Sequence, residues 1–296
     1  MTRNVFSTAA TTLLLLFLSG ASSATLGAER YSDYITELTR LVFARTEAPG
    51  AAPRRVPGVS GISRNRKFVE LLSGEHLEFS ALPTKPEWEE KLIPIRIPVR
   101  KGLQGYRLFL VNRNNPQTIG KIETLDQLRA LPTGSGAQWS TTVALEEAGF
   151  TVVKGQSKND LVKMLDLKRF VTYGRGIDEI FAEYDALAAA HPSLSIDREV
   201  ALFIPHPVYF FVTPKRPDLA ERIERGLRDM IADGSFNDLF RKHFEDDIKR
   251  ARLDRRRIFT IANPLLGPET PLKDPTLWFV PTRAPDDDDE QLDPIR

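Results

Sequence analysis

The chain has 296 residues, enough for one large domain or for two medium ones that each have a hydrophobic core. Its 41 basic and 40 acidic residues nearly balance, which argues against nucleic acid as a partner. It contains no cysteine, and this excludes disulfides, thiol catalysis, cysteine metal sites and a lipid-modified cysteine.

The N-terminus has the pattern of an export signal. Arg3 supplies a positive charge, an apolar run covers residues 11–18, and small residues at 22–24 form a cleavage motif. Because the run is too short to span a bilayer, the sequence predicts a signal peptide over residues 1–24, cleaved near Ala24. The alternative is a buried N-terminal helix. The processed chain is expected to be a free, monomeric protein of the periplasm.

The next strong signal is a strand that prolines interrupt. Residues 93–100 alternate Ile or Val with Pro or Arg, the period of a strand with one buried face. Proline cannot donate to a sheet ladder, so Pro94 and Pro98 argue against a central strand. Two glycines follow, and residues 106–111 then have the composition of a buried strand.

Strand and helix signals alternate between residues 112 and 200. Thr124 and Ser157 are predicted to cap two of the helices, and short apolar runs separate the helical patterns. This alternation indicates an α/β fold with a mostly parallel sheet and helices on both of its faces.

A second interrupted strand follows at residues 200–212, where Pro205 and Pro207 break an apolar run. The two interrupted strands bracket the alternating region, so we expect a two-stranded hinge between two lobes. Lobe 1 would comprise residues 25–110 and 206–281, and lobe 2 residues 111–205. The alternative is a pair of edge strands in a single sheet.

The C-terminal part begins with an amphipathic helix over residues 218–233, and Ser235 opens another. The basic run 249–257 is interpreted as a solvated helix face. The proline-rich residues 263–281 are expected to pack as an extended strap, and residues 282–296 to form a disordered acidic tail.

Several motifs together resemble bacterial extracellular solute-binding proteins of family 3, and in particular a subgroup of transporter substrate-binding domains without an assigned ligand. They are PIRIPVRKGLQGYRLFLV, GSGAQWSTTVALEEAGF, LVKMLDLKRF, GRGIDEI, PHPVYFFV and LAERIERGLRDMIADGSFNDLF. The resemblance implies a type II periplasmic binding fold, in which two α/β lobes are joined by two crossing strands. It also implies a solute held in the cleft between the lobes.

Candidate ligand-binding residues follow from their chemistry. A helix beginning near Ser140 offers free backbone N–H groups and a helix dipole to an anion, although ordinary helix capping would explain the same residues. Arg175, between two glycines, is a candidate for reaching into a cleft, or else a solvated turn residue. Tyr106 and Tyr209 follow the two crossings, and either could belong to the core. The full set is Ser80, Tyr106, Trp139, Ser140, Thr141, Thr142, Arg175 and Tyr209.

One departure from the family concerns the ligand. Amino-acid-binding relatives typically carry a Ser/Thr segment followed by an arginine that clamps the ligand carboxylate. Here Ser80 matches the first part, but Glu87, Glu89 and Glu90 stand where the arginine is expected. The sequence therefore leaves two possibilities open, that the ligand is not an α-amino acid and that the protein binds no ligand.

The sequence thus predicts a periplasmic protein that captures a small polar or anionic, amino-acid-like solute for the permease of an ABC-type transporter. No catalytic residue or cofactor is expected, because the chain has no cysteine and its acid/base groups are scattered carboxylates and four histidines. No metal is expected either, because the histidines have no metal-binding spacing. Two alternatives remain. One is a periplasmic enzyme of the same fold, dehydratase-like, with His206 as the residue to test. The other is a soluble ligand sensor for a membrane signalling partner.

Overall fold

The computed structural model describes residues 23–46, 62–115 and 119–282. The predicted signal peptide lies outside these ranges except for Ser23 and Ala24, and the predicted acidic tail lies outside except for Thr282. No helix within these ranges is long and apolar enough to cross a membrane.

The helices are α1 (Ser23–Thr46), α2 (Arg64–Ser73), α3 (Pro86–Lys91), α4 (Leu125–Arg129), α5 (Ser140–Glu147), α6 (Lys158–Asp166), α7 (Ile177–Leu187), α8 (Pro217–Ala232) and α9 (Ser235–Ala251). The strands are β1 (Phe79–Pro83), β2 (Ile93–Ile95), β3 (Tyr106–Asn112), β4 (Thr133–Gly136), β5 (Val152–Gly155), β6 (Thr172–Gly176), β7 (Leu194–Phe203), β8 (Val208–Val212) and β9 (Arg257–Thr260).

A small antiparallel sheet has the strand order β1-β8-β2. Successive residues of the central strand β8 point to opposite faces. Phe210 and Val212 join a core that also contains residues of α1 and α8, whereas Tyr209 and Phe211 pack with Trp88 in a second cluster. Burial on both faces explains why β8 is apolar at every position.

A larger sheet has the order β5-β4-β6-β3-β7-β9. The β4–β5, β4–β6 and β7–β9 pairs are parallel, as expected for an α/β region. Strand β3 is antiparallel to both of its neighbours, β6 and β7. The predicted caps are present at both helices, with a complete capping box at Thr124 and a side-chain cap at Ser157.

The chain passes between the two sheets at the proline-interrupted segments. Residues 96–105, the first crossing, lead from β2 into β3, and residues 204–207, the second crossing, lead from β7 back into β8. Pro94 lies in β2, which is an edge strand and therefore tolerates it. The crossings contact each other closely, since a Cβ on Gly105 would lie 2.4 Å from the carbonyl oxygen of Ile204. Glycine at this position allows that approach.

The C-terminal segments differ in two respects from the sequence prediction. The basic run is not one helix face, because α9 ends at Ala251 and Arg252 adopts a left-handed φ of 47°. The chain then forms a 3-10 turn and β9, which pairs with β7 at the edge of the large sheet although its segment was assigned to lobe 1. Beyond β9, the strap packs on the first crossing, where the Phe279 N–H donates to the Lys101 carbonyl oxygen at 2.7 Å.

Candidate functional site

The two crossings meet the N-terminus of α5 at a polar group of four residues. We call this group the crossing cluster, and it consists of Gln104, Arg107, Ser140 and His206. Gln104 Nε2 lies 2.6 Å from His206 Nδ1 and donates to the His206 carbonyl oxygen at 2.7 Å. On the other side of the ring, His206 Nε2 lies 2.7 Å from Ser140 Oγ. One imidazole therefore joins both crossings to the first residue of α5.

The amide of Gln104 determines the tautomer of His206. An amide nitrogen only donates, so Nδ1 accepts from it and the ring proton resides on Nε2, which donates to Ser140 Oγ. Reversing the amide would place its oxygen against the His206 carbonyl oxygen, which is also an acceptor. In this arrangement His206 has no free acceptor for the Ser140 proton, so the pair is not arranged as a nucleophile and its base.

Burial and neighbouring cations keep His206 neutral. Burial and then the charges of Arg107, Arg64 and Arg100 lower its pKa from 6.5 to about 3. A neutral ring donates one hydrogen bond to Ser140, whose own hydroxyl hydrogen stays available to a further acceptor. The cluster therefore offers donors and positive charge, without a titrating base near neutral pH.

Arg107 provides the positive charge at the bottom of the cluster. The residue is 8% exposed, and its guanidinium donates to the carbonyl oxygens of Gln104 and Gly174, each at 3.1 Å. No carboxylate of the described residues forms an ion pair with it. Burial accordingly lowers the pKa of Arg107, and the nearby charge of Glu179 opposes this effect. A buried guanidinium bonded only to carbonyls is an arrangement that favours an anion.

A buried ion pair stands beside Arg107. Arg100 of the first crossing bonds to Asp178 in the first turn of α7, and its guanidinium lies 4.4 Å from the centre of the Tyr31 ring. Burial, and secondarily Glu179, raises the pKa of Asp178. Its Oδ1 is buried without a hydrogen-bond partner among the described residues. This pair joins α1, the first crossing and α7.

Arg175 is engaged by carboxylates. Its Nε and Nη2 donate to the two carboxylate oxygens of Glu183 at 2.6 and 2.7 Å, and Nη2 also lies 2.9 Å from Glu179. The guanidinium packs 4.9 Å from the ring centre of Trp139. Although burial alone would lower the pKa of Arg175, the two glutamates raise it. In this structure the charge of Arg175 is neutralised by glutamates of α7. Its role in ligand binding stays a prediction.

The other residues predicted around the start of α5 have different surroundings. Trp139 stacks on Tyr173 with a centroid distance of 6.4 Å and belongs to the Arg175 side of the sheet. Thr142 is buried and donates from its hydroxyl to Ser135 or to the Gly136 carbonyl, which fixes α5 to β4. Thr141 is half-buried beside Ser140. Among these four residues, the structure places only Ser140 in the crossing cluster.

Three further candidates lie in the packed interior. Tyr106 donates to the Phe279 carbonyl oxygen at 3.0 Å and packs on Phe203, and burial raises its pKa to about 12. Tyr209 is fully buried in the cluster with Trp88. Ser80 is buried in β1 opposite Phe211. The open alternative that both tyrosines belong to the core matches their positions.

Sequence reasoning did not select Arg107, Gln104, Arg100 or Asp178 as site residues. The sequence did contain a signal for Arg107, which is a charged residue near the start of an otherwise apolar strand. Charged residues are rarely buried unless they have a partner. Glu89, one of the three glutamates found where the resemblance led us to expect an arginine, bonds to Thr84 and Arg96. Within the described part of the chain, no group of three or more potential ligand side chains could hold a metal ion.

Comparison with known proteins gives the class of the fold. No protein-family model and no curated protein matches the chain. A probable amino-acid ABC transporter extracellular-binding protein from Bacillus subtilis is a similar solved structure, with 17% identity, a TM-score of 0.51, and coverage of 72% of this chain and 88% of that one. A periplasmic His/Glu/Gln/Arg/opine family-binding protein from Silicibacter pomeroyi in complex with lysine has 14% identity, 72% and 87% coverage and a TM-score of 0.48. A histidine kinase sensor domain with similarity to periplasmic binding proteins has 14% identity, 71% and 84% coverage and a TM-score of 0.46.

The predicted fold is confirmed by the first of these similarities: the chain has the type II periplasmic binding fold. The resemblance to family 3 solute-binding proteins is thereby supported at the level of the fold, and at these identities it does not extend to the ligand.

Proposed function

We propose that this chain is a periplasmic solute-binding protein that holds the anionic group of a small, amino-acid-like solute at the crossing cluster and delivers the solute to a membrane transporter. The observation that carries the proposal is the burial of Arg107 with backbone carbonyls as its hydrogen-bond partners. A buried cation without a bonded carboxylate costs free energy, which the charges of Glu179 and Asp178 offset in part through space, and an anion bound beside it offsets more.

The surroundings of Arg107 add donors for the same anion. Ser140 is the first residue of α5, and the first N–H groups of a helix lack intrahelical acceptors. The helix dipole favours negative charge at this end. Because His206 donates to Ser140 Oγ, the serine hydroxyl is oriented to donate onward. A carboxylate would thus meet a guanidinium, a hydroxyl and backbone N–H groups.

The placement of the cluster suggests how binding is coupled to motion. It lies where the chain crosses twice between the sheets, and such paired segments form hinges between domains that close over a ligand. We propose that residues 25–110 with 206–281, and residues 111–205, move as two lobes about the crossings. Closure would remove water from the cluster and strengthen the charge-assisted bonds of Arg107.

The proposal is tested first by finding the solute. Native mass spectrometry of protein purified from the periplasm should show a small anionic compound bound to the processed chain. That compound should raise the melting temperature by mass action, be recovered unchanged, and compact the protein in small-angle scattering. A cytoplasmic, unprocessed chain would contradict the assigned location, and a chemically converted compound would favour an enzyme.

The site is then tested with Arg107→Met and, as a control beyond the end of the same strand, a variant of the exposed Arg113. Arg113, just after β3, also donates to a backbone carbonyl, but at the opposite end of the strand from Arg107. Truncating one member of a buried charge pair costs about 2 to 5 kcal/mol. Arg107→Met should therefore weaken binding at least about twenty-fivefold by calorimetry, whereas Arg113→Met should bind like the parent. Equal affinities of the parent and Arg107→Met would remove Arg107 from the site.

A further inference from the structure

The basic run at residues 249–257 has no role in the proposed site. It contains six basic residues and one acid, and in the structure it continues from α9 through a turn into β9. Arg256 is used internally, because it donates to the carbonyl oxygens of Ala251, Asp197 and Val200. Arg255 lies 3.7 Å from Asp254 and Arg257 donates to the Ile122 carbonyl oxygen, yet both side chains are largely exposed to solvent.

These residues line a groove at the edge of the large sheet. The groove has a volume of about 570 Å³ and is lined by residues 253–258 together with Pro281. Strand β9 pairs with β7 on one side and is the last strand of the sheet. A strand in this position leaves backbone N–H and C=O groups unpaired, and these groups can bind another extended segment. The groove therefore combines two exposed arginines with an open strand edge.

The chain itself supplies a segment of matching charge. Pro281 lines the groove, and the residues that follow it include Asp286, Asp287, Asp288, Asp289 and Glu290. Asp286 is five residues beyond Pro281, so an extended chain places it no farther than about 18 Å away. A tethered segment of this kind has an effective concentration in the millimolar range at its site. Weak surface ion pairs, which contribute little individually, are then sufficient for docking.

We infer that the acidic segment 286–290 docks in the groove of residues 253–258, with its carboxylates at Arg255 and Arg257 and its backbone along β9. The contact is intramolecular and covers the open edge of the large sheet. It is held by exposed charges, so it weakens when salt reduces the Debye length from about 8 Å at physiological ionic strength to about 3 Å at 1 M.

The absence of cysteine makes a direct test simple, because one introduced thiol is the only one in the chain. A nitroxide on Gln291→Cys of the intact chain should broaden the backbone amide signals of residues 253–258 at low salt, and 1 M salt should remove the broadening. Arg255→Glu with Arg257→Glu should abolish it, as should Asp287→Lys with Asp288→Lys. Combining the four changes should restore it. Arg66→Glu on α2, which packs against the small sheet, should leave it unchanged.

Two results would overturn the inference. The first is that the amide signals of the parent are broadened no more than those of the tail variant Asp287→Lys with Asp288→Lys. This variant leaves every described residue unchanged. The second comes from mixing two preparations, one spin-labelled but without isotope and the other isotope-labelled but without a spin label. The inference fails if broadening of the isotope-labelled chain appears only in this mixture. That result would identify a second copy, and not the chain's own tail, as the occupant of the groove.

Discussion

Two arginines on neighbouring strands have similar burial and opposite electrostatic surroundings. Arg107 on β3 and Arg175 on β6 are 8% and 3% exposed. Leu108 is the register partner of Arg175, so the two arginines point to opposite faces of the sheet. Arg175 has two carboxylates from α7, whereas Arg107 has two backbone carbonyls.

We therefore propose that Arg175 has a structural role and Arg107 a role in binding. A buried cation with its counter-ions contributes to a fixed structure, and removing it leaves the partners unpaired. Arg107 forms no ion pair in the free protein, although the charges of Glu179 and Asp178 act on it through space, and under the proposed function a ligand supplies the bonded anion. The sequence favoured Arg175 as the ligand residue, and the contacts favour Arg107.

The largest expected effect is on the Arg175 side. Arg175→Met keeps much of the side-chain volume but leaves the mostly buried Glu183 with Lys158 as its one ion-pair partner among the described residues. Breaking a buried ion pair costs about 3 to 5 kcal/mol, so the free energy of unfolding measured with urea should fall by about that amount. The exposed pair Arg228 and Glu224 is the control, since Arg228→Met should cost less than about 1 kcal/mol. If Arg175→Met and Arg228→Met lost equal free energies of unfolding, the ion pairs of Arg175 would not be structural, and its contrast with Arg107 would fail.

The second effect is a pH dependence on the Arg107 side. The folded pKa of His206 is about 3, below its usual 6.5, so the unfolded chain binds the extra proton first as pH falls. This contribution to stability is complete above pH 6.5 and is lost as pH falls toward 3. Between pH 7.5 and pH 5 the loss should be about 2 kcal/mol, and His206→Gln should lack it.

The same titration compares the two arginines. Arg107 is the largest of the charges that lower the pKa of His206, whereas Arg175 points to the opposite face of the sheet. Arg107→Met should therefore raise that pKa and reduce the loss of stability at pH 5, whereas Arg175→Met should preserve the loss. Identical pH profiles for both variants would show that Arg107 does not act on His206.

The smallest effect is expected from Arg107→Met in the free protein at neutral pH. The variant loses two charge-assisted hydrogen bonds but no longer buries an unpaired cation, and these terms oppose each other. The free energy of unfolding should change by less than about 1 kcal/mol, with either sign. A loss as large as that of Arg175→Met would indicate that Arg107 is a structural residue.

Much of the fold could be predicted from local patterns. The caps at Thr124 and Ser157 and the amphipathic pattern of α8 each depend on neighbouring residues, and the structure confirms them. The prolines in the two interrupted strands marked the places where the chain changes sheet. The antiparallel direction of β3 and the pairing of β9 with β7 depend on segments far apart in sequence, and no local pattern contains them.

The candidate site was less predictable. The signal at Ser140 was local, since a serine at the start of a helix is a donor whatever surrounds it. The hydrogen bond between Ser140 and His206, by contrast, joins residues 66 positions apart in the sequence, and the bond between Gln104 and His206 joins residues 102 positions apart. The counter-ions of Arg175 lie only four and eight residues further along the chain, on α7.

By itself, the sequence determined the α/β class, the helix caps, the two crossings and the export-like N-terminus, because these follow from the conformational preferences and polarity of adjacent residues. Only the tertiary structure decided which buried cation is paired and which is not. The charge state of a site depends on groups brought within a few ångströms from distant segments, and on how completely packing excludes the water that would otherwise screen them.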